Sequence, residues 1–176
     1  NPAIKERNID LTINQLNIKS GEIRFFSRLH ETFFYTSVNM FEDNPILGTG
    51  PNTYRKYCDN EKYQYISPYS TSSYTYSACS THPHNTFLQI IAETGIIGLL
   101  FFTILIIYFS RLVLIHIYLK LIIKKQLLTD YQICLFACFL CSLVPFVPSL
   151  NFFNNWINII YYIPIGFYLH SIYENS

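Results

Sequence analysis

The sequence predicts an all-α, polytopic membrane protein, with a polar first half outside the lipid and a second half that crosses it. Three observations predict this. Only 13% of the 176 residues are charged, about half the share usual in a soluble globular domain. Residues 1–94 carry 8 Lys/Arg and 9 Asp/Glu, whereas residues 95–176 carry 4 and 2. Three long apolar segments fill that second half without the polar stripe shown by a surface helix of a soluble protein.

The elements follow in order. Asn1 to Gly21 is polar and lacks the apolar core of a signal peptide. A membrane protein opening this way is expected to have earlier spans upstream, with Asn1 a gene-fragment boundary. Gly21–Phe41 is weakly amphipathic and predicts a helix ending before the turn-rich EDNPILGTGPN, where Pro45, Gly48, Gly50 and Pro51 are breakers. Residues 54–76 hold seven tyrosines among Ser, Thr and Pro, the composition of an irregular exposed loop. From Asn85 the apolar positions Phe87, Leu88, Ile91, Ile96 and Leu99 begin a helix that bends at Gly95.

The first span is residues 95–119, whose 25 residues at about 1.5 Å each cover a hydrocarbon core of roughly 30 Å. Arg111 and His116 interrupt its last third, where long side chains reach the headgroups. The second span, 131–148, ends in Pro145 and Pro148; the third, within 156–176, contains Pro164 and Gly166. Such breakers are tolerated where neighbouring helices satisfy the freed backbone groups. Lys120, Lys124 and Lys125 cluster in the 120–130 connection, while 149–155 is uncharged. The positive-inside rule places the lysines in the cytoplasm. Residues 1–94 and 149–155 are then outside, and the C-terminus is inside. Trp156, Tyr161 and Tyr162 suit either an interfacial belt or packing between helices.

A net charge of +1 carries no basic patch for nucleic acid. Cys58 and Cys79 share the outer segment, where an oxidising compartment favours a disulfide closing a loop of about twenty residues, for roughly 3 kcal/mol; two free thiols are the alternative. Cys134, Cys138 and Cys141 lie in the second span without a His or acidic neighbour and read as small apolar residues.

The densest candidate site is STHPHNTFLQIIAETGIIG, Ser80 to Gly98, at the mouth of the first span. Gln89 and Glu93 are four apart and share a helix face with Asn85. A histidine here suits general-base work near neutral pH. Two plainer readings stand beside it. The His82/His84 pair is half of a zinc site lacking a third ligand, or Thr81 or Asn85 simply caps the helix. Arg55, after a Gly/Pro turn, and Arg24 and Arg28, near His30 and Glu31, are suited to bidentate phosphate recognition. Taken singly, each is better read as an ordinary solvated charge.

The run MFEDNPILGTGPNTYRKYC, followed by CSTHPHNTFLQIIAETGIIGLL, resembles the O-antigen ligase/polymerase family. In that family a periplasmic loop carries a glycine turn and ends in an HxHN element leading into a membrane helix. The resemblance covers residues 20–110 strongly and implies a GT-C-like, all-helical glycosyltransferase of the bacterial inner membrane. Such an enzyme takes a glycan from an undecaprenyl diphosphate carrier, without metal or cofactor. A ligase attaches it to lipid A–core; a polymerase adds it to another lipid-linked repeat. The implied residues are His84 for acceptor activation with His82 as its companion, Glu93 and Gly95 in the glutamate–glycine piece, and Arg55 on the diphosphate. His82, Glu93, Asn85, His30 and one of Arg24 and Arg28 are the substrate-binding candidates. By the same resemblance, 176 residues without the earlier spans are catalytically incomplete. Two other functions compete: a non-enzymatic membrane subunit binding glycan through Tyr63, Tyr65 or Tyr69, and a zinc hydrolase using His82 and His84.

Overall fold

The computed structural model describes residues 27–65, 79–141, 143, 144 and 148–173, with positions 5, 6, 9 and 13 before them. Arg24 and Tyr69 lie outside the described residues, and Arg28 is described in its backbone alone. Among the described residues every regular element is helical: α1 (Arg28–Asp43), α2 (Tyr54–Tyr57), α3 (Thr86–Tyr118), α4 (Asp130–Cys141) and α5 (Asn155–Tyr173). A π-helical turn, Leu119–Ile123, prolongs α3.

Each boundary has a local cause. Ser27 caps α1 by accepting from the His30 amide, and the Asn44 N–H closes its end on the carbonyls of Met40 and Phe41, directly before Pro45. Asn85 opens α3: its side-chain oxygen accepts from the amides of Phe87 (3.0 Å) and Leu88 (3.1 Å). Gly95 breaks α3 with φ 63° and ψ −161°, the bend its sequence position predicts. Beyond Gly95 the helix presents large apolar side chains outward; Phe101 is 73% exposed and Leu114 65%. With its π turn, α3 is long and apolar enough to cross a membrane, and no other described helix is.

The second apolar segment is helical for less than its predicted length. Helix α4 stops at Cys141 after 12 residues, about 18 Å of rise. Val144 stands immediately before Pro145 and is not helical, as the ring of a following proline demands. Helix α5 runs through Pro164 and matches the third apolar segment closely.

Two apolar cores result. One joins α1, α2 and the head of α3 through Phe33, Met40, Tyr54, Cys58, Tyr63 and Ala92. The other joins α3, α4 and α5 through residues including Phe102, Phe109, Phe136, Phe139, Tyr161 and Tyr168. Two expectations need correction. Tyr54 and Tyr63 are buried, so the tyrosine-rich stretch is not uniformly an exposed loop. His116 does not reach outward: it is buried, and its Nδ1 accepts from the Leu128 amide at 3.0 Å. Of the two readings open for the aromatic residues, packing between helices holds for Tyr161, whereas Trp156 and Tyr162 face out.

The chain returns twice along α3. The Leu128 contact lies at its foot, while Ser149, between α4 and α5, donates its amide to the His84 carbonyl at its head (2.9 Å). Residues 44–58, 79–85 and 149–152 therefore gather at one end of the bundle.

Candidate functional site

The site is built around the break at Gly95. In an unbroken helix the amides of Ile96 and Ile97 would donate to the carbonyls of Ala92 and Glu93. Here they donate instead to Pro45 (2.9 Å) and Ile46 (3.4 Å). The two carbonyls left over accept from Thr49 (3.1 Å) and Gly50 (2.8 Å). The NPILGTG turn thus replaces both missing helical bonds from both sides. Gly48, with φ +66°, and Gly95, with φ +63°, meet at this crossing; a Cβ on either would strike the other segment's backbone.

The carboxyl group of Glu93 is fully enclosed beside the crossing. Its Oε1 accepts from the Tyr54 amide (2.6 Å) and its Oε2 from the Asn52 amide (2.8 Å) and the Gln89 side chain (3.3 Å). These bonds meet the start of α2, where Thr53 supplies no side-chain cap. Tyr54 and Cys58, four residues apart on α2, are both buried. Cys58 is joined to Cys79 through a disulfide with Cα atoms 4.9 Å apart. Arg55 lies between those anchors and is exposed, with no hydrogen bond or ion pair among the described residues.

The histidines form a row. His30 stands edge-on to Phe33 (6.3 Å between ring centres), Phe33 contacts His84 (5.1 Å), and His84 contacts His82 (4.3 Å). The His82 Nε2 lies 3.1 Å from the Ser149 carbonyl oxygen, which can only accept, so that nitrogen carries the proton. Its Nδ1 is 2.9 Å from the Thr81 hydroxyl. Burial lowers the His82 pKa from its ordinary 6.5, outweighing the Ser149 bond. His82 is therefore a neutral imidazole with both nitrogens engaged. His84 differs. Its Nε2 faces the Ser80 hydroxyl at 3.2 Å, and its Nδ1 makes no hydrogen bond among the described residues. Burial and then the neighbouring His30 hold its pKa below the ordinary 6.5 as well. Its backbone is in the left-handed region, φ 53°, uncommon for a residue with a side chain. The Ser149 amide on its carbonyl, followed by the Asn85 cap, holds it there.

The structure brings His30, His82, His84 and Asn85 to the head of α3, and links Glu93 to the turn before Arg55. The Asn85 Oδ1 is committed to capping, one of the plainer roles open to it in the sequence. Tyr63 donates its hydroxyl to Asp43 (2.6 Å), and Tyr65 stacks on Tyr35 with ring centres 4.1 Å apart. Sequence reasoning missed the 149–152 loop. The Gln89 side chain donates to the Asn151 oxygen (2.8 Å) and accepts from the Phe152 amide (2.9 Å), while the Thr86 and Ser149 hydroxyls lie 2.8 Å apart. An uncharged SLNFFNN connection carries no local signal for such a contact.

Known proteins resemble the chain in sequence over this region. A family profile described as O-antigen ligase matches residues 27–103. A protein of Rickettsia conorii named "Putative polysaccharide ligase" is 31% identical over 133 residues, covering 74% of this chain and 28% of that relative. The chain thus spans under a third of the curated relative it matches. No solved structure matches the chain. The glycine crossing, the enclosed glutamate and the histidine segment all fall inside the matched residues, so the part of the chain that builds the site is the part similar to the O-antigen ligase family.

Proposed function

We propose that this chain is part of a membrane glycosyltransferase that moves a glycan from an undecaprenyl diphosphate carrier to an acceptor hydroxyl during surface-polysaccharide assembly. The acceptor is lipid A–core for a ligase or another lipid-linked repeat for a polymerase. The observation that carries this reading is His84: a neutral imidazole with an uncommitted nitrogen, at the head of an apolar helix. In the proposed step His84 takes the acceptor's proton as the acceptor oxygen attacks the anomeric carbon, and the bond from that carbon to the diphosphate breaks. Arg55 holds the diphosphate of the bound donor and stays on it as it departs. In this proposal the step proceeds without metal or cofactor, as the family resemblance implies.

The reading sets residues 1–94 and 149–155 in the periplasm and 120–130 in the cytoplasm, with spans at 95–119, 131–148 and within 156–176 of the inner membrane. It is supported by the gathering of 149–152 onto the histidine end of α3, opposite the end that holds Leu128 and the lysines. The full-length protein is the catalyst in this proposal.

Arg55→Ala in the full-length protein tests the diphosphate role. A charge-assisted hydrogen bond contributes about 1.5–3 kcal/mol, so kcat/KM for the lipid-linked donor is expected to fall roughly ten- to a hundred-fold. Undiminished polysaccharide laddering at normal protein levels would remove Arg55 from the reaction.

The proton role has a pH signature. Because His84 is lowered in the folded chain, the unfolded chain binds the extra proton as pH falls through about 6.5; stability and the base form both decline in acid and are untouched above it. The acid limb of the transfer rate should lie below 6.5, and His30→Asn should move it part of the way back, burial remaining as the larger cause. An acid limb that does not move on that substitution speaks against the coupling of the two rings.

A further inference from the structure

Arg55 owes its place to a residue that cannot touch the substrate. Helix α2 is four residues long, too short to hold a direction by its own hydrogen bonds. Its buried side is anchored by the rings and sulfur of Tyr54 and Cys58, which leaves the rotation of its first turn to be fixed by the backbone. The Thr53 hydroxyl ties that backbone to the Gly50 carbonyl within the turn, and one side chain from outside the turn grips its amides. The Glu93 carboxyl, sealed from solvent, accepts from the Asn52 and Tyr54 amides with separate oxygens. Two oxygens on two amides, one either side of Thr53, define an orientation as well as a distance. Glu93 in turn sits one turn below Gln89, whose amide bonds it and the 149–152 loop at once.

We infer that Glu93 is a positioning residue, which fixes the direction of Arg55 toward the diphosphate by clamping the backbone amides of Asn52 and Tyr54. The inference rests on the role given to Arg55 above. It removes Glu93 from direct contact with substrate, since both carboxyl oxygens are already occupied and no surface of the side chain is exposed. A bidentate cation needs angular as well as radial accuracy, so the clamp should be felt in donor binding.

The test is a double-mutant cycle in the full-length protein, with an undecaprenyl diphosphate-linked glycan as donor. Glu93→Gln replaces one accepting oxygen by a donor and so opposes one of the two amides. It should raise the donor KM about as far as Arg55→Ala does, near ten-fold, while kcat changes less; Glu93→Asp should recover part of the loss. Because the clamp acts through Arg55, Glu93→Gln should add no more than about two-fold once Arg55 is already Ala. Losses that multiply in the double variant, or a wild-type KM in Glu93→Gln, overturn the inference. Should Glu93→Gln not accumulate in membranes, the same cycle with Glu93→Asp decides by the same criterion, and accumulation of neither makes Glu93 a fold determinant and overturns it too. A silent Arg55→Ala on its own instead marks failure of the diphosphate role itself.

Discussion

His84→Asn in the full-length protein is expected to cut glycan transfer by roughly 10²- to 10⁴-fold, the usual contribution of a positioned general base, while the protein still reaches the membrane. Asn is the informative replacement. The residue has φ 53°, a region that Asn enters more readily than other residues with side chains. The Ser149 amide bonds the His84 carbonyl and not its ring, so that tether survives. What is lost is the ring: the Nε2 facing Ser80, the uncommitted Nδ1, and the contacts with Phe33 and His82. His84→Ala should be equally inactive but less stable, because Ala pays about 1–2 kcal/mol in the left-handed region. Transfer within three-fold of wild type in His84→Asn would end the general-base proposal.

Much of this site was legible because it is local. The Asn85 cap depends on amides two and three residues on, and a Gly in the middle of an apolar run predicts a break. The Gln89–Glu93 pair follows from helical spacing alone. What the residues did not announce is how distant segments meet. The crossing of 45–50 with 92–97 joins positions more than forty apart, through main-chain groups that every sequence possesses. Glu93 illustrates the consequence: its resemblance-based role was substrate binding, whereas its oxygens are spent on Asn52 and Tyr54. His82 was likewise placed beside His84 as a companion, and the structure adds that its ring tethers Ser149. The same limit applies to Tyr54, which composition assigns to an exposed loop and tertiary packing buries. His116 met the opposite fate to snorkelling because the 124–129 connection folds back to give it an amide.

That crossing gives the largest expected loss of stability. Gly95→Ala would set a Cβ against the carbonyl of Ile46 and 2.7 Å from the Gly48 amide nitrogen, and Gly48→Ala would press on the Glu93 carbonyl and the Thr94 nitrogen. All of these are backbone atoms, so no side chain can rotate out of the way. Each substitution also places Ala at a positive φ, for about 1–3 kcal/mol. Relief requires the turn to leave the helix, which forfeits four crossing hydrogen bonds at about 0.5–1.5 kcal/mol each. A loss of roughly 3–9 kcal/mol per substitution follows, comparable with the whole stability of many domains. In detergent the Tm should fall by roughly 10 °C or more, and transfer should vanish, because separating the turn also withdraws Glu93 from α2. Gly166→Ala is the matched control: nothing lies within 4 Å of its Cβ position, and in a helix Ala is preferred to Gly by about 1 kcal/mol. If Gly95→Ala kept the wild-type Tm and activity, the turn and the helix could not be interlocked as described, and the orientation of Arg55 would need another cause.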